Sequence, residues 1–304
     1  MCGRFALRLD PDEIQQLNGH HASVAEWERR NAFVPRYNIA PHSQAPVLRR
    51  IDPETDQLVL STMKWGLVPH FMKFEDKTLN TTNARSENLV DGGGMWESIK
   101  GPKRCAVVCQ GYYEWLTKGK DKLPHFVKPK DGRLMLMAGL YDSVVLQGET
   151  ETLWTFTIVT TEANKEFSWL HHRQPVILST PESLNAWLDT SSKNWTPDLV
   201  KLVAPTTCAL DCYQVPKEVG KVGTESPTYI EPVANRKDGI QAMFAKQKQA
   251  SPKKVAQKRA LSPAADSDIE EIPAKKLKPT PKKKADTSKS QPSSSKITSF
   301  FNKP

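Results

Sequence analysis

The sequence predicts an α+β fold: a curved or barrel-like, mostly antiparallel sheet with flanking helices, followed by a disordered tail. Three observations predict it. Strand-like runs fill the middle of the chain, helix starts are few and sharply marked, and the aromatic residues stop well before the chain does.

In chain order, Asp10-Pro11-Asp12-Glu13 supplies an N-cap, a first-turn proline and a capping-box glutamate ahead of Ile14 and Leu17, so a helix begins there. The runs Gln57–Met63, Arg104–Trp115, His125–Val127, Arg133–Tyr141 and Leu153–Thr160 follow, rich in β-branched, apolar and aromatic residues. Gly92-Gly93-Gly94 and Asp131-Gly132 punctuate them as turn signals. Thr180-Pro181-Glu182 opens a second helix, with Leu184, Trp187 and Leu188 on one stripe. Thr196-Pro197-Asp198 opens a third, with Leu199, Leu202 and Val203.

The 304 residues carry 43 Lys+Arg and 34 Asp+Glu, a net charge of +9. Residues 241–304 hold 15 of the basic and 5 of the acidic residues, leaving 28 and 29 for residues 1–240. All eight Trp and all six Tyr also lie in 1–240. A near-neutral globular domain over residues 1–235 is therefore expected to precede a basic tail over 236–304. That tail is rich in Lys, Ser and Pro, cannot offset its ordering entropy by burial, and is expected to be disordered.

Other classes recede. No apolar run approaches the ~20 residues that span a bilayer, so no membrane partner is expected. The opening MCGRFALRLD has neither an apolar h-region nor a small-residue cleavage site and does not read as a secretory signal. Five cysteines are too few, and odd in number, for a disulfide framework, which points to a reducing compartment. Cys105/Cys109 and Cys208/Cys212 have a spacing that invites zinc. However, residues four apart on a strand lie ~13 Å from each other and cannot share one ion, so no metal is assigned and the cysteines read as buried apolar residues.

Cys2 is the sharpest chemical feature. Removal of Met1 would leave an amine and a thiol on adjacent carbons, with ordinary pKa values near ~8 and ~8.5. The amine of such a 1,2-aminothiol condenses with an aldehyde to an imine, and the thiol then closes a five-membered thiazolidine. Taken without its neighbours, Cys2 is an exposed residue at a frayed end. Glu114 lies in Tyr112-Tyr113-Glu114-Trp115, an apolar setting that raises a carboxyl pKa toward working pH and suits a general acid. On its own it reads rather as a solvent-facing strand glutamate between inward aromatics. A histidine in His171-His172-Arg173 has the pKa range to shuttle protons.

Seven blocks occur together in order: Met1-Cys2-Gly3-Arg4-Phe5, Arg36-Tyr37-Asn38-Ile39-Ala40-Pro41, Lys64-Trp65-Gly66-Leu67-Val68-Pro69, Asn80-Thr81-Thr82-Asn83-Ala84-Arg85, Gly111-Tyr112-Tyr113-Glu114-Trp115, Ile158-Val159-Thr160-Thr161 and His171-His172-Arg173-Gln174-Pro175. Over residues 1–235 the chain resembles the SRAP family, whose members crosslink to abasic sites in single-stranded DNA. The resemblance implies a suicide reactant that needs no cofactor and acts as a monomer. It assigns Cys2 as nucleophile, Glu114 as the acid that opens the closed sugar, His171 as proton shuttle and Asn83 as holder of the amine and the sugar hydroxyls. It implies DNA contacts at Arg4, Asn38, Pro41, Trp65, Asn80, Arg85, Thr160 and Arg173, with Trp65 read equally as core. Phe71 and Met72 fall where bacterial members carry a tryptophan wedge. Gln174 replaces the usual Met, and Gly220-Lys221 the usual Asn pair. A cysteine amidohydrolase that removes Met1, or a non-catalytic reader of modified DNA, are the competing classes.

In the tail, Lys253-Lys254, Lys258-Arg259, Lys275-Lys276-Leu277-Lys278 and Lys282-Lys283-Lys284 read as sites for a nuclear import receptor. Ser294-Ser295-Lys296-Ile297-Thr298-Ser299-Phe300-Phe301 resembles the motif that binds the sliding clamp PCNA, with Ile297, Phe300 and Phe301 as anchors. Nuclear localisation at replication forks is the resulting expectation.

Overall fold

The computed structural model describes residues 2–235 apart from Asn18, His21, Lys77 and Thr206. The import clusters and the Ile297/Phe300/Phe301 motif lie outside the described residues. The first elements are β1 (Arg4–Leu7), α1 (Pro11–Gln15), β2 (Val24–Glu28), β3 (Arg36–Ile39), β4 (Gln44–Arg50), β5 (Leu58–Trp65), β6 (Asn83–Arg85) and α2 (Ser86–Val90). There follow β7 (Arg104–Cys109), β8 (Gly111–Lys118), β9 (Asp121–Pro129), β10 (Met135–Val144), β11 (Leu153–Glu162), β12 (Arg173–Pro175), α3 (Pro181–Leu188), α4 (Pro197–Leu202) and β13 (Leu210–Gln214).

Strands β5, β4, β7, β10 and β11 pair in that order, every junction antiparallel. β11 then returns to β5 in parallel, through Thr155↔Lys64 and Phe156↔Trp65, and closes a five-stranded barrel. Closure leaves β2, β6 and β12 as short additions outside the ring. A second, wholly antiparallel sheet runs β13-β9-β8-β1-β3. The fold is thus α+β and mostly sheet, with the few helices at its margin.

The capping signals act locally as the sequence implies. Asp10 accepts from Asp12 N and closes a box with Glu13, while Thr180 and Thr196 cap α3 and α4, each with proline in the first turn. The expected single run Arg104–Trp115 is two strands. At Gln110 the chain leaves the barrel, its N–H donating to Ala6 O at 2.8 Å, and Gly111 begins β8 in the second sheet. A Cβ at Gly111 would lie 2.4 Å from Val127 O, so this crossing requires glycine.

Alternation sorts the second sheet's faces. Phe5, Leu7, Tyr112 and Val127 join the main core, whereas Ala6, Tyr113 and Phe126 pack with Val215, Val219 and Tyr229 on the other side. Glu114 is two residues beyond Tyr112 and so faces the main core. That single parity decides where the chemistry sits.

Candidate functional site

The site forms where the entry of β1 meets β8, β6 and the start of β12. β1 pairs with β8 through Arg4↔Tyr113, Phe5↔Tyr112 and Ala6↔Gly111, so the residues just ahead of β1 run alongside Glu114. Cys2 is fully buried there, which corrects its reading as a frayed, exposed end. Burial, and next the Glu114 carboxylate, push its thiol pKa up. A buried thiol held protonated is not a standing nucleophile; it needs a base, or loss of its proton to a neighbour, at the moment of attack.

Glu114 is 5 % exposed, and burial raises its pKa. Trp115 N donates to its Oε1 at 3.2 Å, and its Oε2 lies 3.9 Å from His171 Nδ1. The solvent-facing alternative for Glu114 is therefore excluded. His171 Nδ1 accepts from Arg173 N at 2.9 Å. The same Nδ1 lies 3.2 Å from Arg173 O, so the Arg173 backbone fixes the ring's orientation without selecting a tautomer. Burial pushes the His171 pKa down to about 4, so the imidazole is neutral at pH 7. His172 is exposed and stacks on His171 with centroids 4.2 Å apart.

Asn83 is placed by β6, which pairs in parallel with β11 through Asn83↔Ile158 and Arg85↔Thr160. Its Nδ2 donates to Cys2 O at 3.0 Å and Thr82 Oγ1 at 3.2 Å. Its Oδ1 is buried with no hydrogen-bond partner among the described residues, an acceptor waiting beside Cys2. Cys2, Asn83, Glu114 and His171 thus come together from four separate segments. A carboxyl whose pKa is raised by burial, a neutral imidazole, a thiol and an orphan amide oxygen suit proton transfer around a carbonyl carbon.

The expected DNA-contact residues divide sharply. Arg85 shares the Asn83 face of β6 and is exposed, as is Asn80. Phe71 is 59 % exposed on the loop between Val68 and Thr81, with Met72 half-buried beside it. The ends of that loop are tied by Leu67 N to Thr81 O at 3.3 Å. Pro41 is half-buried in the turn after β3.

The others are committed to the fold. Arg4 donates to Asn38 Oδ1 at 2.8 Å and to the carbonyls of Val219 and Gly220 at 3.0 and 3.2 Å. Asn38 Nδ2 in turn reaches Val219, Lys221 and Thr224 carbonyls. Together they pin residues 217–224 rather than a phosphate, because a buried guanidinium must satisfy its donors locally. Trp65 is fully buried against Phe5 and Phe156, its Nε1 donating to Thr82 O at 2.9 Å, so it has no face to offer a base. Buried Thr160 accepts from Arg173 at 2.7 Å through its carbonyl, and Arg173 is paired with Glu87. Arg173 therefore fixes the backbone that orients His171.

Two neighbours carry no sequence expectation. His125 stands directly opposite Glu114 in the β8–β9 ladder, and Trp169 packs edge-on against it. The signal for His125 was the two-residue turn Gly119-Lys120, with Gly119 at φ 61°, which sets the whole hairpin register.

The model of the family described as SOS response associated peptidase (SRAP) matches residues 1–222. The abasic site processing protein YMR114C of Saccharomyces cerevisiae is 38 % identical over 261 residues, covering 77 % of this chain and 68 % of that one. The abasic site processing protein HMCES of Gallus gallus is 31 % identical over 268 residues, covering 77 % and 78 %. The abasic site processing protein YoqW of Bacillus subtilis is 33 % identical over 235 residues, covering 76 % and 99 %. A protein from Bacteroides thetaiotaomicron of known crystal structure shares the fold, with a TM-score of 0.63 at 24 % identity over 76 % of this chain and 99 % of that one. With a family model spanning most of the chain and relatives above 30 % identity over two thirds or more of its length, the protein belongs to the SRAP family.

Proposed function

We propose that this protein recognises abasic sites in single-stranded DNA and traps them covalently on Cys2 once Met1 is gone. The observation that carries this reading is the burial of Cys2 beside Glu114 and the unpartnered Asn83 oxygen. The names of the yeast, chicken and Bacillus relatives point the same way.

Glu114, in its neutral form, gives its proton to the ring oxygen of the closed sugar as the bond from that oxygen to C1 breaks, and the C1 hydroxyl passes its own proton to His171 and becomes the aldehyde. The Cys2 amine adds to the aldehyde carbon and water leaves, forming the imine; Asn83 Oδ1 accepts from the amine and holds it on line. The Cys2 thiol then adds across the C=N bond, its sulfur to carbon and its proton to nitrogen. His171, neutral at pH 7, moves the protons of these steps. The sum is aldehyde plus aminothiol giving thiazolidine plus one water. Arg85 and Asn80 hold the strand's backbone, and Phe71 with Met72 stack beside it. Removal of Met1 by the domain itself is the peptidase-type part of the proposal: the Cys2 sulfur adds to the Met1 carbonyl, the Met1–Cys2 amide bond breaks with the thiol proton passing to the freed Cys2 amine, and water hydrolyses the resulting thioester to free methionine and the Cys2 thiol.

The amine supplies the test. Inserting one glycine between Met1 and Cys2 keeps every side chain but buries the amine of Cys2 in a peptide bond. On abasic single strands, a denaturing gel should show a covalent band for the native sequence and none for the insertion. A band of native intensity from a protein whose insertion is intact would overturn the mechanism.

A further inference from the structure

We propose that Trp169, seated on His125, is the stacking platform for the nucleobase next to the abasic sugar. The inference rests on the proposed binding of single-stranded DNA, and adds a residue that sets what the site requires of the flanking sequence.

Trp169 is 51 % exposed, yet its position is fixed. Phe167 N and Ser168 N both donate to Asn164 O, at 3.1 and 2.9 Å, and Leu170 N donates to Phe167 O at 2.9 Å. The Asn164 side chain accepts from Glu166 N and Phe167 N, each at 3.0 Å. Phe167 and Leu170 are buried in the main core, so this turn has its apolar anchors inside and turns the indole outward.

The indole meets the His125 ring at 82°, with centroids 5.5 Å apart. A perpendicular contact of that kind occupies at most one face of the indole, so a broad apolar face stays open. His125 itself is buried, held by a contact of 3.0 Å between its Nδ1 and Leu123 O, and sits opposite Glu114 across the ladder. Trp169 thus packs on His125, which pairs with Glu114 across the ladder, and Glu114 lies 3.9 Å from His171, two residues after Trp169. Single exposed aromatic residues are ordinary on protein surfaces. One held rigidly by a hydrogen-bonded turn at the rim of a buried carboxyl–imidazole pair is placed to receive a planar ligand. A base is that ligand, because a strand lacking one base at the reacting sugar presents its neighbour's π-face unstacked.

The test uses single strands with a tetrahydrofuran abasic analogue, which has no aldehyde and reports binding alone. One oligonucleotide keeps bases on both sides; a second carries three consecutive tetrahydrofurans, so the flanks have none. Trp169→Ala should weaken binding of the first about ten-fold, as loss of one stacked base implies, and leave binding of the second unchanged. Trp169→Phe should restore most of the loss. Equal affinity of wild type and Trp169→Ala for the first oligonucleotide, or an equal loss on both, would overturn the platform. Failure of the wild-type protein to bind either oligonucleotide or to crosslink a natural abasic strand would instead overturn the DNA-trapping reading beneath it.

Discussion

At the scale of single residues, chemistry follows from burial. Glu114 has its pKa raised because its carboxylate would sit among apolar atoms, which favours its neutral, proton-bearing form. Glu114→Gln keeps the shape and removes the proton. It should slow crosslinking to closed-ring abasic sites by about 100-fold or more, with binding of undamaged single strands unchanged in an equilibrium titration. His171 carries the opposite shift. Its folded-state pKa of about 4 lies below the ordinary 6.5, so between those values the unfolded chain binds the extra proton. Stability from this group is complete above pH 6.5 and is lost as pH falls toward 4. Urea unfolding across that window should show the decline in the wild type and a shallower one in His171→Gln.

The four candidate residues Cys2, Asn83, Glu114 and His171 were legible in the sequence because each sits in a short contiguous block with distinctive neighbours. The orientation of their companions was not. Nothing in Met1-Cys2-Gly3-Arg4 or Arg36-Tyr37-Asn38 reveals that both polar side chains turn inward to carbonyls more than 180 residues away. Trp65 likewise needs the closed barrel around it before its burial is visible.

At the scale of elements, registers turn sequence neighbours into site neighbours. The β8–β9 hairpin places His125 opposite Glu114, and the β1–β8 pairing brings Cys2 to the same level. The break at Gln110 and Gly111 sends one strand-like run into two sheets, and periodicity alone does not mark it, since both halves are apolar. Gly111→Ala forces a Cβ to within 2.4 Å of Val127 O. It should lower unfolding stability by about 1–3 kcal/mol, the cost of overpacking, read as an earlier midpoint in urea.

The Arg4–Asn38 clamp and the exposed Arg85 make a matched pair of predictions. Arg4→Ala leaves the buried Asn38 Oδ1 without its donor, while Val219 O keeps Asn38 Nδ2, and should cost about 1–3 kcal/mol of stability, with the salt dependence of DNA binding unaltered in the folded protein. Arg85→Ala should leave stability within about 0.5 kcal/mol and reduce the slope of log affinity against log salt by about 0.7, one phosphate's worth on a single strand. Unfolding curves and salt titrations on both variants separate the roles.

At the scale of the whole molecule, a near-neutral folded domain is joined to a strongly basic segment. The helix caps, the strand-rich middle and the composition break made the fold class legible. The barrel-like sheet was expected, but the pair that closes it was not, because the parallel β11–β5 contact joins segments about 90 residues apart and leaves no local trace. We propose that the tail delivers the domain to its substrate, Ile297, Phe300 and Phe301 docking on the PCNA clamp and the lysine clusters serving nuclear import. Phe300→Ala/Phe301→Ala in a tail peptide should abolish clamp binding by calorimetry and leave crosslinking by the full chain unchanged; equal affinity of both peptides would refute the docking.

Every step of the account converges on one bond pair at Cys2. The direct measurement is the intact mass of the protein after reaction with a single-stranded abasic oligonucleotide, followed by peptide mapping of the adduct. The account predicts a species equal to the protein lacking Met1 plus the oligonucleotide less one water, stable to denaturation, with the modification on the peptide that begins at Cys2. An adduct on any lysine, an adduct that retains Met1, or a complex that falls apart on denaturation would contradict it.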